Sequence, residues 1–135
     1  MNIAMLLQMA ADACPERRAL TSGHDHLTYQ ALFAAAANAG ELIRASGCRY
    51  VSVLDTSSPA VPIALMGAAM AGVPYVPLNY RLTREQLDAL IARIAPVYLV
   101  TGESHRETYA GFAHGTAIAR RTLLEATLGG APAEA

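Results

Sequence analysis

The sequence predicts an α/β fold with a mostly parallel sheet and helices on both faces. Three observations carry this. Between Tyr50 and Thr101 the chain alternates strand, helix, strand, helix, strand. The strand candidates Tyr50–Leu54 and Val97–Thr101 are short apolar runs rather than alternating ones, as expected of strands covered on both faces. The helix candidate from Pro59 to Ala71 is apolar nearly all round, so it has to be covered on more than one side. Short strands joined by such helices form a parallel sheet through right-handed crossovers.

Taken in order, Ile3 to Ala13 reads as a first helix with Ile3, Leu6, Leu7 and Ala10 on its apolar stripe, stopped by Pro15. Ala19 to Ser22 and the residues before Thr28 read as a short hairpin turning at Gly23-His24-Asp25-His26. Thr28 is placed to cap a helix running to about Ser46, with Leu27 and Leu32 as a hydrophobic staple and Gly47 as its left-handed stop. Its alanine-rich interior favours helix and close approach of a neighbour. Ser58 followed by Pro59 reads as N-cap and first helical residue of the next helix, and Gly72 as its end. Tyr75-Val76-Pro77 is expected as a short strand. Thr83-Arg84-Glu85-Gln86 fits a capping box, and Leu87, Leu90, Ile91 and Ile94 fall at i, i+3, i+4, i+7. Pro96 ends that helix. Helices are expected near Ser104–Ala110 and Ile118–Leu128, so that residues 1–128 form one domain and 129–135, rich in Gly, Ala and Pro, a linker.

Composition excludes several classes. The chain has 135 residues and a net charge of −1, with its arginines scattered, so no broad field attracts nucleic acid or anionic lipid. Pro59 to Leu78 has the length of a membrane span without a charge, but Pro74 and Pro77 stand where a span needs helix. Cys14 and Cys48 follow no metal-binding pattern, and Met1-Asn2-Ile3 lacks the basic start of an export signal, which points to a reducing cytoplasm.

Chemistry-bearing residues are sparse. His24 and His26 have a spacing metals accept, yet a third ligand is not evident and the pair falls at a hairpin turn. Thr101-Gly102-Glu103-Ser104 follows a strand, where phosphate loops sit, but carries one glycine, an acidic residue and no lysine. Ser104-His105 are mere sequence neighbours without a nucleophile elbow. Asp55-Thr56-Ser57-Ser58 lies at the carboxyl end of a parallel strand, where ligands of open sheets bind, though helix capping also accounts for it. Arg81 is either a solvated charge or a phosphate contact, for which a guanidinium is suited. Neither cysteine has a local histidine to activate it. No catalytic residue and no metal ligand is assigned.

The ordered set of motifs resembles the N-terminal end of the adenylate-forming (AMP-binding) enzymes: Ala11-Asp12-Ala13-Cys14-Pro15, Ala19-Leu20, Leu27-Thr28-Tyr29, Ser57-Ser58-Pro59, and Gly72-Val73-Pro74-Tyr75-Val76-Pro77-Leu78-Asn79-Tyr80-Arg81-Leu82-Thr83. The likeness runs from Leu6 to about Thr101. Two departures stand out: Gly47-Cys48-Arg49 leads straight into Tyr50 where the family has a Gly-Asp turn, and Asp55-Thr56-Ser57 replaces a usual asparagine. Pro77 to Thr83 is most similar to the acyl- and aryl-CoA synthetases, the fatty-acid–CoA ligases among them.

That resemblance implies a parent enzyme that activates a carboxylic acid with ATP and Mg²⁺ to an acyl adenylate and transfers it to CoA, in fatty acid metabolism. It implies an Arg81 contact with CoA phosphate. All ten basic residues here are arginine, whereas the family's phosphate loop and catalytic lid each carry a lysine. The expectation is therefore an N-terminal piece, inactive alone and without cofactors of its own, leading through 129–135 toward an absent phosphate loop. Its partner would be the remainder of the enzyme, with self-association through apolar surface on the Pro59–Ala71 helix or its neighbours. A stand-alone binding module and one subunit of a split enzyme are the alternatives.

Overall fold

The computed structural model describes residues 3–22, 25–54, 59–78, 81–102 and 112–128. In chain order these form α1 (Ile3–Ala13), β1 (Arg18–Ser22), β2 (Asp25–Thr28), α2 (Tyr29–Ser46), β3 (Tyr50–Leu54), α3 (Ala60–Ala71), α4 (Arg84–Arg93), β4 (Val97–Thr101), β5 (Gly115–Ala119) and α5 (Arg120–Leu128). The sheet order is β3-β4-β5, parallel throughout, with Tyr50 opposite Val97 and Val97 opposite Gly115. β1 and β2 make a separate antiparallel hairpin with an irregularity between Arg18 and Leu20.

Side chains alternate across the sheet. Val51, Val53, Tyr98 and Val100 face α3, packing on Ala60, Ala64 and Ala68 with Ile43 of α2 and Leu123 of α5. Leu54, Val97 and Leu99 face the other way onto Leu87 and Ile91 of α4. A third apolar cluster lies outside the α3 layer, where Leu7 of α1 meets Leu32, Ala35, Ala36 and Ala39 of α2 and Ile63 of α3. The helices thus cover both faces, as the buried strands require.

Capping follows the sequence. Thr28 is extended and its hydroxyl accepts from Ala31 N at 3.1 Å, while Gly47 (φ 72°) closes α2. Thr83 and Gln86 form the full capping box of α4. The assigned α3 begins at Ala60, but Pro59 already has helical angles and its carbonyl accepts from Ile63 N, so proline does open the helix. Ser58 lies outside the described residues.

Five readings are corrected. The inward line of α1 is Leu7 and Ala11; Ile3 and Leu6 are exposed. Leu7 seats among Leu32, Ala35, Ala36 and Ala39 of α2 and Ile63 of α3, which leaves Ile3 and Leu6 on the outer side. β2 begins at Asp25, so Asp25 and His26 are ladder residues, not turn. Tyr75–Pro77 makes a single parallel bridge to Val51 rather than a strand. Pro74 and Pro77 have no N–H to give. Only Val76 N donates to Val51 O, while Pro74 O accepts from Val51 N. Leu90 of α4 is 37% exposed and leaves Leu87 and Ile91 as that helix's buried anchors. β5 stands at 115–119, so α5 starts at Arg120 instead of Ile118. The apolar surface expected on the Pro59–Ala71 helix or its neighbours falls on the neighbour α1; no residue of α3 itself is exposed. The helix expected at Ser104–Ala110 and the linker at 129–135 lie outside the described residues.

β5 depends on one glycine. A Cβ on Gly115 (φ 137°) would lie 2.3 Å from Val97 O, so only glycine can start this strand against β4. Val97 N donates to His114 O at the same place.

Candidate functional site

Ligands of open parallel sheets bind at the carboxyl ends of the strands. Here β3 ends at Leu54 and β4 at Thr101, and Gly102 N donates to Leu54 O at 3.0 Å, tying the two ends together. The chain leaves this edge into 55–58 and 103–111. Asp55-Thr56-Ser57-Ser58, Glu103, Ser104 and His105 therefore lie outside the described residues, as does His24. His26 is an exposed strand residue. Among the described residues no group of three His, Cys, Asp or Glu side chains is placed to hold a metal.

Arg81 lies in the exposed turn leading into α4, two residues before the Thr83 cap. The capping box and the burial of Leu82, Leu78 and Leu87 in one cluster fix the exit of this turn. The structure thereby holds Arg81 at a defined point of the surface; its neighbours Asn79 and Tyr80 lie outside the described residues.

The buried polar groups serve the scaffold. Ser52 Oγ donates to Val76 O at 2.6 Å, holding the bridge segment against β3. Thr127 Oγ1 donates to Leu123 O within α5, and Asn38 Nδ2 donates to Thr127 O, joining α2 to α5. Cys48 is buried beside Tyr98. Burial, with a smaller contribution from Cys48, pushes the Tyr98 hydroxyl up to about 12. Burial also raises Tyr75. Neither tyrosine is poised for acid–base work near neutrality.

A groove at the opposite, amino edge was not anticipated. It has a volume of about 580 Å³ and is lined by Cys48, Arg49, Tyr50, Val73, Pro74 and Arg93, among others. The C-terminal ends of α2, α3 and α4 converge there, each leading toward the start of a strand or bridge. The last-turn carbonyls of these helices carry partial negative charge. Arg44 answers directly, donating to Met70 O in the last turn of α3 and pairing with Glu41. Arg49 and Arg93 lie at the same edge. The sequence signals were the stops at Gly47 and Gly72, each placed just before a strand or bridge.

The sequence does not fit a triphosphate cradle: it holds no lysine, and neither Asp55-Thr56-Ser57-Ser58 nor Thr101-Gly102-Glu103-Ser104 is a glycine-rich loop.

A family model described as AMP-binding enzyme matches residues 7–129. The chain is 34% identical over 104 residues to a feruloyl-CoA synthase of an Amycolatopsis species, covering 75% of this chain and 21% of that protein. It is 30% identical over 112 residues to a D-alanine–D-alanyl carrier protein ligase of Staphylococcus aureus, covering 82% and 23%. It thus spans about a fifth of the length of these relatives. The N-terminal domain of FACL13 from Mycobacterium tuberculosis superposes with a TM-score of 0.83 at 22% identity, over 98% of this chain and 36% of that one. The O-succinylbenzoate coenzyme A synthetase of Bacillus subtilis, solved with ATP and magnesium, gives a TM-score of 0.72 at 26% identity, over 88% and 33%. With the model spanning all but the ends, the chain belongs to the AMP-binding enzyme family.

Proposed function

We propose that this chain is the N-terminal subdomain of a cytoplasmic acid–CoA ligase. The longer protein activates a fatty or aryl carboxylic acid with ATP and Mg²⁺ to an acyl adenylate and passes the acyl group to CoA. The observation that carries the reading is the family match over residues 7–129 together with the feruloyl-CoA synthase likeness. In this proposal the chain contributes scaffold rather than chemistry. Stabilising a transferring phosphoryl group needs cationic donors and metal aimed at it. In this reading those groups come from elsewhere in the longer ligase and the chain alone does not adenylate, which the lack of any lysine in the sequence supports. Arg81 is the residue assigned to substrate, as a contact to the phosphates of CoA. Two free cysteines suit a reducing compartment. The chain's partners are the remaining domains of the ligase and, separately, a second copy.

Pyrophosphate exchange with ATP, Mg²⁺ and a panel of carboxylic acids tests the inactivity of the isolated chain. No exchange is expected, and robust exchange sinks the scaffold reading. In a longer ligase carrying this segment, Arg81→Ala is expected to raise KM for CoA about tenfold, the loss of roughly one charge-assisted hydrogen bond. Pyrophosphate exchange should be unchanged. An unaltered KM removes Arg81 from the site without touching the family assignment.

A further inference from the structure

Arg44, Arg49 and Arg93 stand at the amino edge of the sheet, and they are not equivalent. Arg44 is committed: it donates to Met70 O at 3.0 Å and pairs with Glu41 at 2.8 Å. Arg49 and Arg93 are exposed and line the groove of about 580 Å³. Among the described residues neither guanidinium has a carboxylate or carbonyl partner. The helix ends do not require them. Gly47 N donates to Arg44 O of α2, Gly72 N and Val73 N donate to Ala69 O and Ala68 O of α3, and Ile94 N donates to Leu90 O of α4. Backbone donors thus close the last turns, and two full positive charges are left over one concavity. Their placement is fixed. Arg49 N donates to Pro96 O at 2.8 Å, which ties the residue that opens β3 to the loop that follows Arg93.

We propose that this groove binds a small soluble phosphate monoester, with Arg49 and Arg93 on the phosphate and Val73 and Pro74 as the apolar wall for its organic part. A guanidinium presents paired N–H donors that match phosphate oxygens, and two of them balance a dianion. The volume lies in the range of small-molecule sites. An extended acidic segment fits less well, because the lining offers no third cation along which further carboxylates could run. The site is separate from the contact assigned to Arg81. Arg81 precedes the start of α4 and Arg93 ends it, and a helix of that length spans about 15 Å.

Proton–nitrogen correlation NMR of the 135-residue chain, titrated with phenyl phosphate and separately with inorganic phosphate against sodium chloride of matched ionic strength, tests it. Saturable shifts of the Arg49 and Arg93 Nε–H signals are expected, with phenyl phosphate about tenfold tighter through partial burial of its ring. Arg49→Gln and Arg93→Gln should each weaken binding about tenfold, the loss of one charge-assisted pair, with an unchanged circular dichroism spectrum. Arg17→Gln, an exposed arginine before β1, should leave binding as it was. Shifts that never saturate overturn the proposal, and so does an Arg17 variant that weakens binding as much as the groove variants. Equal affinity for phenyl phosphate and inorganic phosphate removes the apolar wall and overturns the monoester assignment. In a longer ligase carrying this segment, Arg49→Gln with Arg93→Gln should reduce the broadening of the phenyl phosphate line in phosphorus NMR. No difference there shows the groove to be covered by the other domains and also overturns it.

Discussion

α3 and α4 lie between the same two strands, cover opposite faces of the same sheet, and are built on opposite plans. Every residue of α3 is buried or half-buried, and it carries no charge. In α4 only Leu87 and Ile91 are buried; the other eight residues are exposed, and Arg84 pairs with Asp88 along its outer face. The difference is one of layers. α3 is a filling between the sheet and α2, and its small residues bring it close to both. α4 is an outer wall held by two anchors and a capping box. A helix without a polar face announces a second layer above it, and a helix with two apolar positions per turn-pair announces solvent.

The plan of α3 breaks most easily at its crossing with α2. A Cβ on Gly67 would lie 2.8 Å from the Ala39 Cβ and 3.2 Å from Ala36 O, with Gly40 just as close on the facing helix. Gly67→Leu therefore has to part the two helices. The expected loss is about 3 kcal/mol, read as a lower urea midpoint. A loss under ~1 kcal/mol would mean that the α2–α3 layer is not packed this tightly.

On the α4 face, Ile91→Ala empties a position that is 1% exposed and is expected to cost about 2–4 kcal/mol. Leu90→Ala, one residue away and 37% exposed, should cost less than ~1 kcal/mol. Equal losses would show that α4 turns Leu90 inward and has three anchors. The pair is sharper than either variant alone, since both shorten a side chain in the same helix turn.

The same contrast explains what could be read from the sequence. The caps at Thr28 and Thr83, the stops at Gly47 and Gly72 and the buried strands at 50–54 and 97–101 are local chemistry or local pattern, and they stand as read. β5 was illegible because Gly115-Thr116-Ala117-Ile118-Ala119 has little strand character of its own; its ladder to β4 makes it a strand. The facing of α1 was illegible because Ile3, Leu6 and Leu7 are all apolar, and only the close seat on α2 and α3 selects Leu7. Tyr75-Val76-Pro77 has strand character in sequence, but the prolines at 74 and 77 lack the N–H a longer ladder needs, so only the bridge to Val51 forms. Of the candidate site, the chemistry of a lone guanidinium singles out Arg81 as a solvated charge or a phosphate contact and the resemblance alone assigns it CoA, while the groove at the amino edge arises from three helix ends that sequence spacing does not bring together.

The smallest effect concerns the α3 face at alkaline pH. Tyr98 is 4% exposed there, and its hydroxyl is held up to about 12 against an ordinary 10. Below pH 10 the phenol is neutral in both folded and unfolded chains and contributes no pH dependence. Between about 10 and 12 the unfolded chain releases this proton while the folded chain retains it, so stability falls as pH rises through that window. The chain is suited to the measurement. It has no lysine to titrate there. Tyr75 is shifted the same way and adds to the fall. Tyr98→Phe removes the larger shift and is expected to flatten the decline in urea midpoint above pH 10, with little change at pH 7. An unchanged decline would mean that the Tyr98 hydroxyl reaches water in the folded chain and that the seal between α3 and the sheet is open at Cys48.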